Sequence, residues 1–383
     1  MFPRPLTAGL LSAILLLSTA CGVLTGPEDG PPEEITELPR ELSAAEQELI
    51  RSGNAFGLEL LRRLHASREE GEANVFLSPL SASMSLGMAM NGAEGETFDQ
   101  MRATLGLGGL DLADANEAYG RLTDLLLGLD PSVEFRLANA AWLREGFPIR
   151  DAYRERVREA FDARVESLDF RDPAAAGTIN AWVEEETGGR ITDFVDPSMI
   201  EDLIALLANT VYFKGSWTER FDPADTRDAE FRRPDGTTVT VPTMHRTVDA
   251  RLHRTRELTA VDLPYGGRAF SMTVVLPGRE GTLAGLLEDM DRARWRELTD
   301  RLSSREVAIS LPRFEITWEK LLNEPLEAMG MPRAFDRTSA EFGRMVEGAR
   351  PGDFFIEWVK QKSFVRVDEE GTEAAAATGT GVG

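Results

Sequence analysis

The chain has 383 residues, of which 42% are hydrophobic, so it can bury one large core or two smaller ones. Acidic residues outnumber basic residues by 65 to 42, and the formal net charge is -23. A protein that binds nucleic acid or an anionic membrane surface needs a basic face, and this balance argues against both classes. The sequence contains one cysteine, Cys21, so no internal disulfide is possible.

The chain begins with the pattern of a targeting segment. Arg4 supplies a positive charge, residues 6–17 form an apolar run that is short for a membrane span, and small residues precede Cys21. We therefore predict a signal peptide over residues 1–21. A cysteine after small residues is typical of a bacterial lipoprotein cleavage site, so we expect a lipid on Cys21 as the only membrane attachment. Ordinary secretion with an unmodified Cys21 is the alternative, and either route predicts a secreted or cell-envelope protein.

Residues 22–41 are rich in proline and acidic residues, cannot bury a core, and are predicted to form a flexible tether. We expect residues 42–383 to form a single domain. The capping-box spacing of Ser43 and Glu46 predicts a helix that ends near His65.

Further helices are indicated by apolar residues at helical spacing. The pair Ser78-Pro79 predicts one of them, because proline suits the first turn of a helix, and Asn91-Gly92 predicts its end. The other predicted helices are 97–105, 112–128, 150–161, 173–188, 283–301 and 321–330.

Strands are predicted mainly in the second half of the chain. Because helices come early and strands late, the sequence favours an α+β fold over alternating strand–helix units. The predicted strands are 74–77, 133–143, 163–168, 203–213, 227–232, 238–245, 250–263, 269–276, 305–317 and 354–368.

The segment from Gly371 to Gly383 can be an exposed loop or a strand. Every second residue from Thr372 to Val382 is small and uncharged, so that side can pack against a core. The other side, which begins with Glu373 and continues with alanine and glycine, is expected to face water. The composition alone also fits a disordered tail. The long predicted strand at 354–368 that runs into the segment favours a strand-forming switch, which can store folding free energy.

No pattern in the sequence favours an enzyme. The three histidines, His65, His245 and His253, have no nearby serine or cysteine in a nucleophile context. The sequence has no His-Glu-x-x-His and no Cys-x-x-Cys motif, so we expect no metal, no cofactor and no catalytic residue. A serine hydrolase is therefore a poor interpretation.

Several segments, in order along the chain, carry a family resemblance. The most specific internal segment runs from Leu207 to Trp217, and the last is the run from Glu369 to Thr378. The remaining segments are Asn74 to Ser81, Phe221 to Pro223 with Thr226, Leu263 to Tyr265, Leu311 to Phe314, and Leu326 to Met331. Together these segments resemble the serpin family of serine protease inhibitors, over the chain from about residue 50 to its end.

The resemblance implies a serpin-like α+β fold with a large, mostly antiparallel central sheet, two smaller sheets and eight or nine helices. It implies a metastable monomer that needs no cofactor. A serine protease, or sometimes a cysteine protease, cleaves an exposed reactive loop and is trapped as an acyl-enzyme when the loop inserts into the central sheet. The family's loop continues past Gly383 and core strands follow it, so we expect the sequence to be a C-terminally incomplete piece that ends inside that loop.

The resemblance also assigns roles to residues of this chain. Glu369 is expected to pair with Arg313 beside Trp217, at the end of the sheet where insertion starts. Ser78, Ser81, Asn209 and Gln361 are expected to form a hydrogen-bond cluster at the sheet centre. The hinge of the reactive loop is assigned to Glu369, Glu370, Gly371, Thr372, Glu373, Ala374, Ala375, Ala376, Ala377 and Thr378.

Three physical requirements support the hinge assignment. A residue that enters the sheet must not bury an uncompensated charge, and Thr372, Ala374 and Ala376 meet that requirement. Gly371 is expected to supply a pivot with free backbone angles. Glu373 is expected to point to solvent after insertion.

Two alternatives to an inhibitory serpin remain: a non-inhibitory serpin-fold binding or scaffold protein of the cell envelope, and a ligand-binding lipoprotein of another fold.

Overall fold

The computed structural model describes residues 33–68, 74–233 and 235–383. The predicted signal peptide and Cys21 lie outside the described residues. Residues 33–41, which the sequence assigns to a flexible tether, contact the folded body instead. The Ile35 N–H donates to the Gly267 carbonyl at 2.7 Å, and Arg40 donates to Glu46 Oε2 at 3.0 Å.

The described residues form ten α-helices, where the resemblance implies eight or nine. The predicted helix 283–301 divides in two, because the Asp291 side chain accepts from the Arg294 N–H and caps a new helix. Ser43 and Glu46 form the expected capping box. The helices are α1 (Ala44–Ala66), α2 (Pro79–Met90), α3 (Gly95–Thr104), α4 (Leu112–Leu127), α5 (Asp151–Phe161), α6 (Ala174–Glu186), α7 (Pro197–Ile200), α8 (Leu283–Asp289), α9 (Arg292–Asp300) and α10 (Asn323–Ala328).

The described residues form eleven β-strands: β1 (Glu134–Arg144), β2 (Arg164–Leu168), β3 (Ala205–Ser216), β4 (Arg227–Arg232), β5 (Thr238–Arg254), β6 (Leu258–Tyr265), β7 (Phe270–Pro277), β8 (Ser303–Pro312), β9 (Phe314–Leu321), β10 (Ile356–Val367) and β11 (Gly371–Val382). The larger sheet has six of these strands, in the order β2-β1-β3-β11-β10-β9. Its neighbouring strands are antiparallel except β1 and β2, which are parallel, so the prediction of a mostly antiparallel sheet is confirmed.

Where two smaller sheets are expected, the described residues contain one branched sheet of five strands. The strand β5 is 17 residues long and pairs with β4 near its start, with β6 near its end, and with β8 along its middle, from Thr243 to Leu252. A single strand of this length joins two small sheets into one. The α+β fold class itself is confirmed.

Three predicted strands differ from the observed ones. The segment Asn74–Leu77 is not a strand, and the predicted strand 250–263 breaks at a turn where the Leu258 N–H donates to Thr255 Oγ1 at 3.1 Å. The predicted strand 305–317 divides at Arg313, so that β8 belongs to the branched sheet and β9 to the six-stranded sheet. Pro312 ends β8 because proline has no N–H to continue a ladder.

The six-stranded sheet is covered on both faces. The helix α2 packs against β3 and β11 on one face, and every residue from Ser81 to Met90 is buried. The helix α6 packs against β1 and β3 on the other face, where Trp142 and Trp182 meet edge to face at 5.1 Å. A strand in the centre of this sheet is therefore buried on both sides.

Candidate functional site

The segment assigned to the reactive-loop hinge is the central strand β11. It pairs with β3 along one edge and with β10 along the other, so that Thr378 lies between Asn209 and Gln361. All residues of β11 except Ala374 are buried. The structure therefore holds this segment in its strand state, fully integrated into the sheet.

The α2 face of β11 is joined to the helix by two pairs of hydroxyl groups. Ser81 Oγ lies 2.9 Å from Thr378 Oγ1, and Ser85 Oγ lies 2.8 Å from Thr380 Oγ1. Residues four apart on a helix rise about 6 Å, which nearly matches the rise of two residues on a strand. The spacing therefore lets both pairs form at once. The sequence alone did not assign Ser85 and Thr380 to the site. The only signal for them is that Ser85 lies four residues after Ser81, which places both serines on the same face of α2.

The structure brings together the residues of the expected sheet-centre cluster. Gln361 Oε1 accepts from the Ser78 N–H at 2.8 Å, and Gln361 Nε2 donates to Thr378 Oγ1 at 2.6 Å. Ser81 Oγ donates to the main-chain carbonyl of Asn209 at 3.2 Å. The Asn209 side chain instead donates to Asn139 Oδ1 at 2.9 Å, so Asn209 joins the cluster through its backbone only.

The opposite face of β11 is buried, whereas the sequence suggests a water-facing side. Ala375 and Ala377 lie in the apolar cluster formed with α6 and the chain that follows it. A Cβ added to Gly379 would lie 3.0 Å from the Phe194 ring, and one added to Gly381 would lie 2.8 Å from Trp358 Cε2. These small residues are needed for close packing, not for exposure to water.

The residues expected at the end of the sheet where insertion starts lie close together. Arg313 Nε lies 3.6 Å from Glu369 Oε2, and the Thr226 hydroxyl donates to Glu369 Oε1 at 2.6 Å. The Trp217 indole donates to the Asp368 carbonyl at 2.9 Å. Burial raises the pKa of Glu369, but the Thr226 hydrogen bond and the Arg313 charge outweigh it and hold that pKa below its ordinary value.

Gly371 and Thr372 begin the inserted strand. A Cβ on Gly371 would lie 2.0 Å from the Gly215 carbonyl oxygen, so glycine is required here for close approach of two backbones. The Tyr265 hydroxyl lies 2.6 Å from Thr372 Oγ1, and the Tyr265 ring stacks on Trp217 with centroids 4.6 Å apart. Thr372, the first side chain of the strand, therefore contacts the stacked pair of Tyr265 and Trp217 through the Tyr265 hydroxyl.

Glu373 is buried, which corrects the expectation that it points to solvent. Its residue exposure is 5%. The segment that follows α6 folds over the sheet and carries Arg190. The Arg190 side chain therefore donates to both carboxylate oxygens of Glu373, at 2.8 and 2.6 Å. Tyr212 and Arg366 each donate at 2.8 Å. Burial raises the pKa of Glu373, but the hydrogen bonds from Arg190 and Tyr212 and the two arginine charges lower it overall.

The remaining expectations concern Glu370, metals and membranes. Glu370 is exposed, and its carbonyl accepts from the Trp217 N–H at 2.9 Å. Within residues 33–68, 74–233 and 235–383, no group of three or more acidic, histidine or cysteine side chains is placed to hold a metal ion. None of the helices in this part of the chain is long and apolar enough to cross a membrane.

The structure is an α+β fold in which the assigned hinge segment is a central strand of the six-stranded sheet. The family model described as "Serpin (serine protease inhibitor)" matches residues 51–383. The chain belongs to the serpin family.

Named relatives and solved structures agree with the family. Iripin-1 of Ixodes ricinus is 33% identical over 333 residues, covering 85% of this chain and 83% of the relative. An uncharacterised serpin-like protein of Thermococcus kodakarensis is 35% identical over 341 residues, covering 87% and 76%. The structure titled cleaved Serpin 42Da superposes with a TM-score of 0.82 at 32% identity, covering 88% of this chain and 90% of that one.

The fold alone is shared with emu ovalbumin, at a TM-score of 0.81 and 22% identity, covering 88% of this chain and 90% of that one. Members of the family are generally protease inhibitors and not catalysts, although ovalbumin is a non-inhibitory member. The family therefore narrows the function to protease inhibition or a non-inhibitory use of the same fold.

Proposed function

We propose that this protein is a serine-type endopeptidase inhibitor that acts as a suicide substrate. The observation that carries the proposal is the fit of β11 between β3 and β10, with ladder pairing along both edges. A segment that has no inhibitory role has no need for side chains that fit such a slot. The hinge from Glu369 to Thr378 is the part of the chain that we assign to the switch.

The proposed reaction begins when the protease accepts the exposed loop as a substrate. The protease serine Oγ attacks the carbonyl carbon of the scissile bond, the C–N bond breaks, and the new amine leaves with a proton. An ester then links the loop to the protease. Insertion of the loop as β11 carries the attached protease away and distorts its active site before water can hydrolyse the ester.

The side chains of β11 support fast insertion. Its three threonine hydroxyls all have partners. Two of them lie 2.8–2.9 Å from Ser81 and Ser85 on α2, and the Thr372 hydroxyl lies 2.6 Å from the Tyr265 hydroxyl. The one carboxylate, Glu373, is met by two arginines. Because the threonine hydroxyls and the Glu373 carboxylate all have partners after burial, insertion does not incur the cost of an isolated buried charge.

We also propose roles and a location for the other assigned residues. The end of the sheet that opens first is stabilised by Glu369, Arg313 and Trp217. The centre of the sheet is stabilised by the cluster of Ser78, Ser81, Asn209 and Gln361. The protein is a monomer outside the cytoplasm, attached to the envelope through a lipid on Cys21. Mass spectrometry of the amino-terminal peptide tests the lipid, with Cys21→Ala as the control that must lack it.

The central test mixes the full-length protein with trypsin, an elastase and subtilisin, followed by a denaturing gel. A band at the summed mass that survives boiling indicates covalent trapping, and its peptide map gives the scissile bond. Cleavage of the loop by all three proteases with no such band would overturn the inhibitor proposal. That result would favour the second candidate, a non-inhibitory binding or scaffold protein of the cell envelope.

A further inference from the structure

The strand β11 carries a single charged side chain. Its sequence from Gly371 to Val382 contains small residues, hydroxyls and Glu373. Glu373 also lies near the end at which the strand begins, two residues after Gly371. If insertion proceeds from that end, Glu373 is the first charge that the slot between β3 and β10 must accept. The environment of this carboxylate therefore bears on the step that competes with hydrolysis of the acyl-enzyme.

The Glu373 carboxylate is held by groups from three separate parts of the fold. Arg190 comes from the chain after α6, Tyr212 from β3, and Arg366 from β10, and all their contacts to the carboxylate are between 2.6 and 2.8 Å. The two arginines are themselves placed by neighbours: the Arg190 guanidinium lies 5.3 Å from the centre of the Phe364 ring, and Arg366 Nε lies 3.7 Å from Asp368 Oδ2.

The same groups would lie near one another in a sheet without β11. Both β3 and β10 run antiparallel to β11, so they are parallel to each other and would become neighbours if the slot closed. Arg190 and Arg366 would then share a site without the carboxylate that now bridges them. The exposed Lys214 of β3 is the register partner of Glu373 and adds a third positive charge to this region. Asp368 would still pair with Arg366, but the cluster of positive charges would lack the carboxylate of Glu373, and this loss opposes closure.

We infer that Arg190, Arg366 and Tyr212 form a carboxylate receptor that captures Glu373 during insertion and fixes the register of β11. These three are positioning residues for the proposed inhibitory reaction, and the inference rests on that proposed function. A slip of one residue would turn Glu373 to the α2 face, and a slip of two would move it about 7 Å along the strand, beyond reach of the receptor. The receptor therefore accepts the loop in a single register.

An alternative explanation is that the ion pair is only a packing feature. Alanine at this position would avoid burial of charge altogether, and replacement of a whole buried ion pair by neutral groups is often harmless. Removal of one partner, by contrast, leaves the other buried and unpaired. A double-mutant cycle on Glu373 and Arg190 therefore separates a receptor from a passive contact.

The experiment compares Glu373→Gln, Arg190→Gln and the double variant with the wild-type full-length protein. The matched control is Glu166→Gln, which removes the carboxylate of an exposed Arg164–Glu166 pair at 2.8 Å in the same sheet, away from the slot. The first measurement is the number of inhibitor molecules consumed for each protease molecule trapped. The second is the thermal midpoint of the loop-cleaved, inserted form, followed by circular dichroism.

Each single variant is expected to raise the ratio of loop hydrolysis to trapping by about tenfold, the factor that corresponds to loss of one hydrogen bond to a charged group. The double variant is expected to lose no more than the worse single variant, and Glu166→Gln is expected to match wild type. Both single variants should also lower the thermal midpoint of the inserted form.

The outcomes distinguish the receptor from the inhibitor proposal. If wild type traps protease and Glu373→Gln behaves like Glu166→Gln in both measurements, the receptor inference is wrong and the inhibitor proposal stands. Additive losses in the double variant would also overturn the receptor. If wild type traps no protease, the inhibitor proposal fails, and the thermal midpoints of the cleaved form still decide whether Glu373 and Arg190 are coupled.

Discussion

Replacement of Thr372 by arginine tests whether the first inserted side chain controls the fate of the acyl-enzyme. Thr372 is 6% exposed and lies opposite Gly215 in β3. Its hydroxyl contacts Tyr265, and the neighbouring cluster contains Trp217 and the half-buried Phe213. A guanidinium at this position would enter an aromatic, largely apolar environment.

The magnitude follows from two losses. Burial of an unpaired charge costs several kcal/mol in a protein interior, and loss of the Tyr265 hydrogen bond costs about 1 kcal/mol. If about 3 kcal/mol of this total is present when the loop enters the slot, insertion slows by on the order of a hundredfold. Hydrolysis of the ester would then outrun insertion, and the protein would become an ordinary substrate.

The assay is the denaturing gel used for the inhibitor test, with the same protease and full-length Thr372→Arg. The expected result is a cleaved inhibitor band, active protease and almost no complex. The matched control is Thr178→Arg, which makes the same change on the exposed surface of α6 and should trap protease like wild type. If Thr372→Arg traps protease as well as wild type, the assignment of Thr372 to the hinge is wrong.

Three further predictions concern the inserted form. Gly381→Val would overpack against Trp358 and should lower its stability by about 1–3 kcal/mol in thermal unfolding. A double-mutant cycle with Ser85→Ala and Thr380→Val should give a coupling of about 1 kcal/mol in the same measurement, and a value near zero would contradict the hydroxyl pair. Glu373 has a pKa below its ordinary 4.5, so its stabilisation is complete above pH 4.5 and is lost as the pH falls through the folded-state pKa. Thermal midpoints measured against pH should fall less in Glu373→Gln than in wild type, and parallel curves would contradict the assignment.

Local patterns predicted the elements that local chemistry determines. The capping box at Ser43 and the proline at the start of α2 gave helix starts that the structure confirms. The small side chains of every second residue from Thr372 onward identified the face of β11 that packs on α2 and the branched sheet. Each of these features depends on residues a few positions apart in the chain.

The burial of Glu373 could not be predicted, because it depends on a distant part of the chain. Period-two alternation shows which side chains share a face, and it does not show whether the second face is covered. Here α6 and the chain after it cover that face, and Arg190 is 183 residues away from Glu373 in sequence. The break between β8 and β9 also depends on distant parts of the chain, since β8 pairs with β5 in the branched sheet and β9 pairs with β10 in the six-stranded sheet.

The two faces of β11 together impose one register, and this argues that its sequence is fitted to the slot and not merely small. Thr378 and Thr380 face serine hydroxyls on α2, while Gly379 and Gly381 face the rings of Phe194 and Trp358. A shift by one residue would press the threonines against the rings and leave the serines opposite glycines. That exchange would lose two buried hydrogen bonds and overpack the other face. A chain of alanine alone could enter the slot in several registers, whereas this sequence is stable in one.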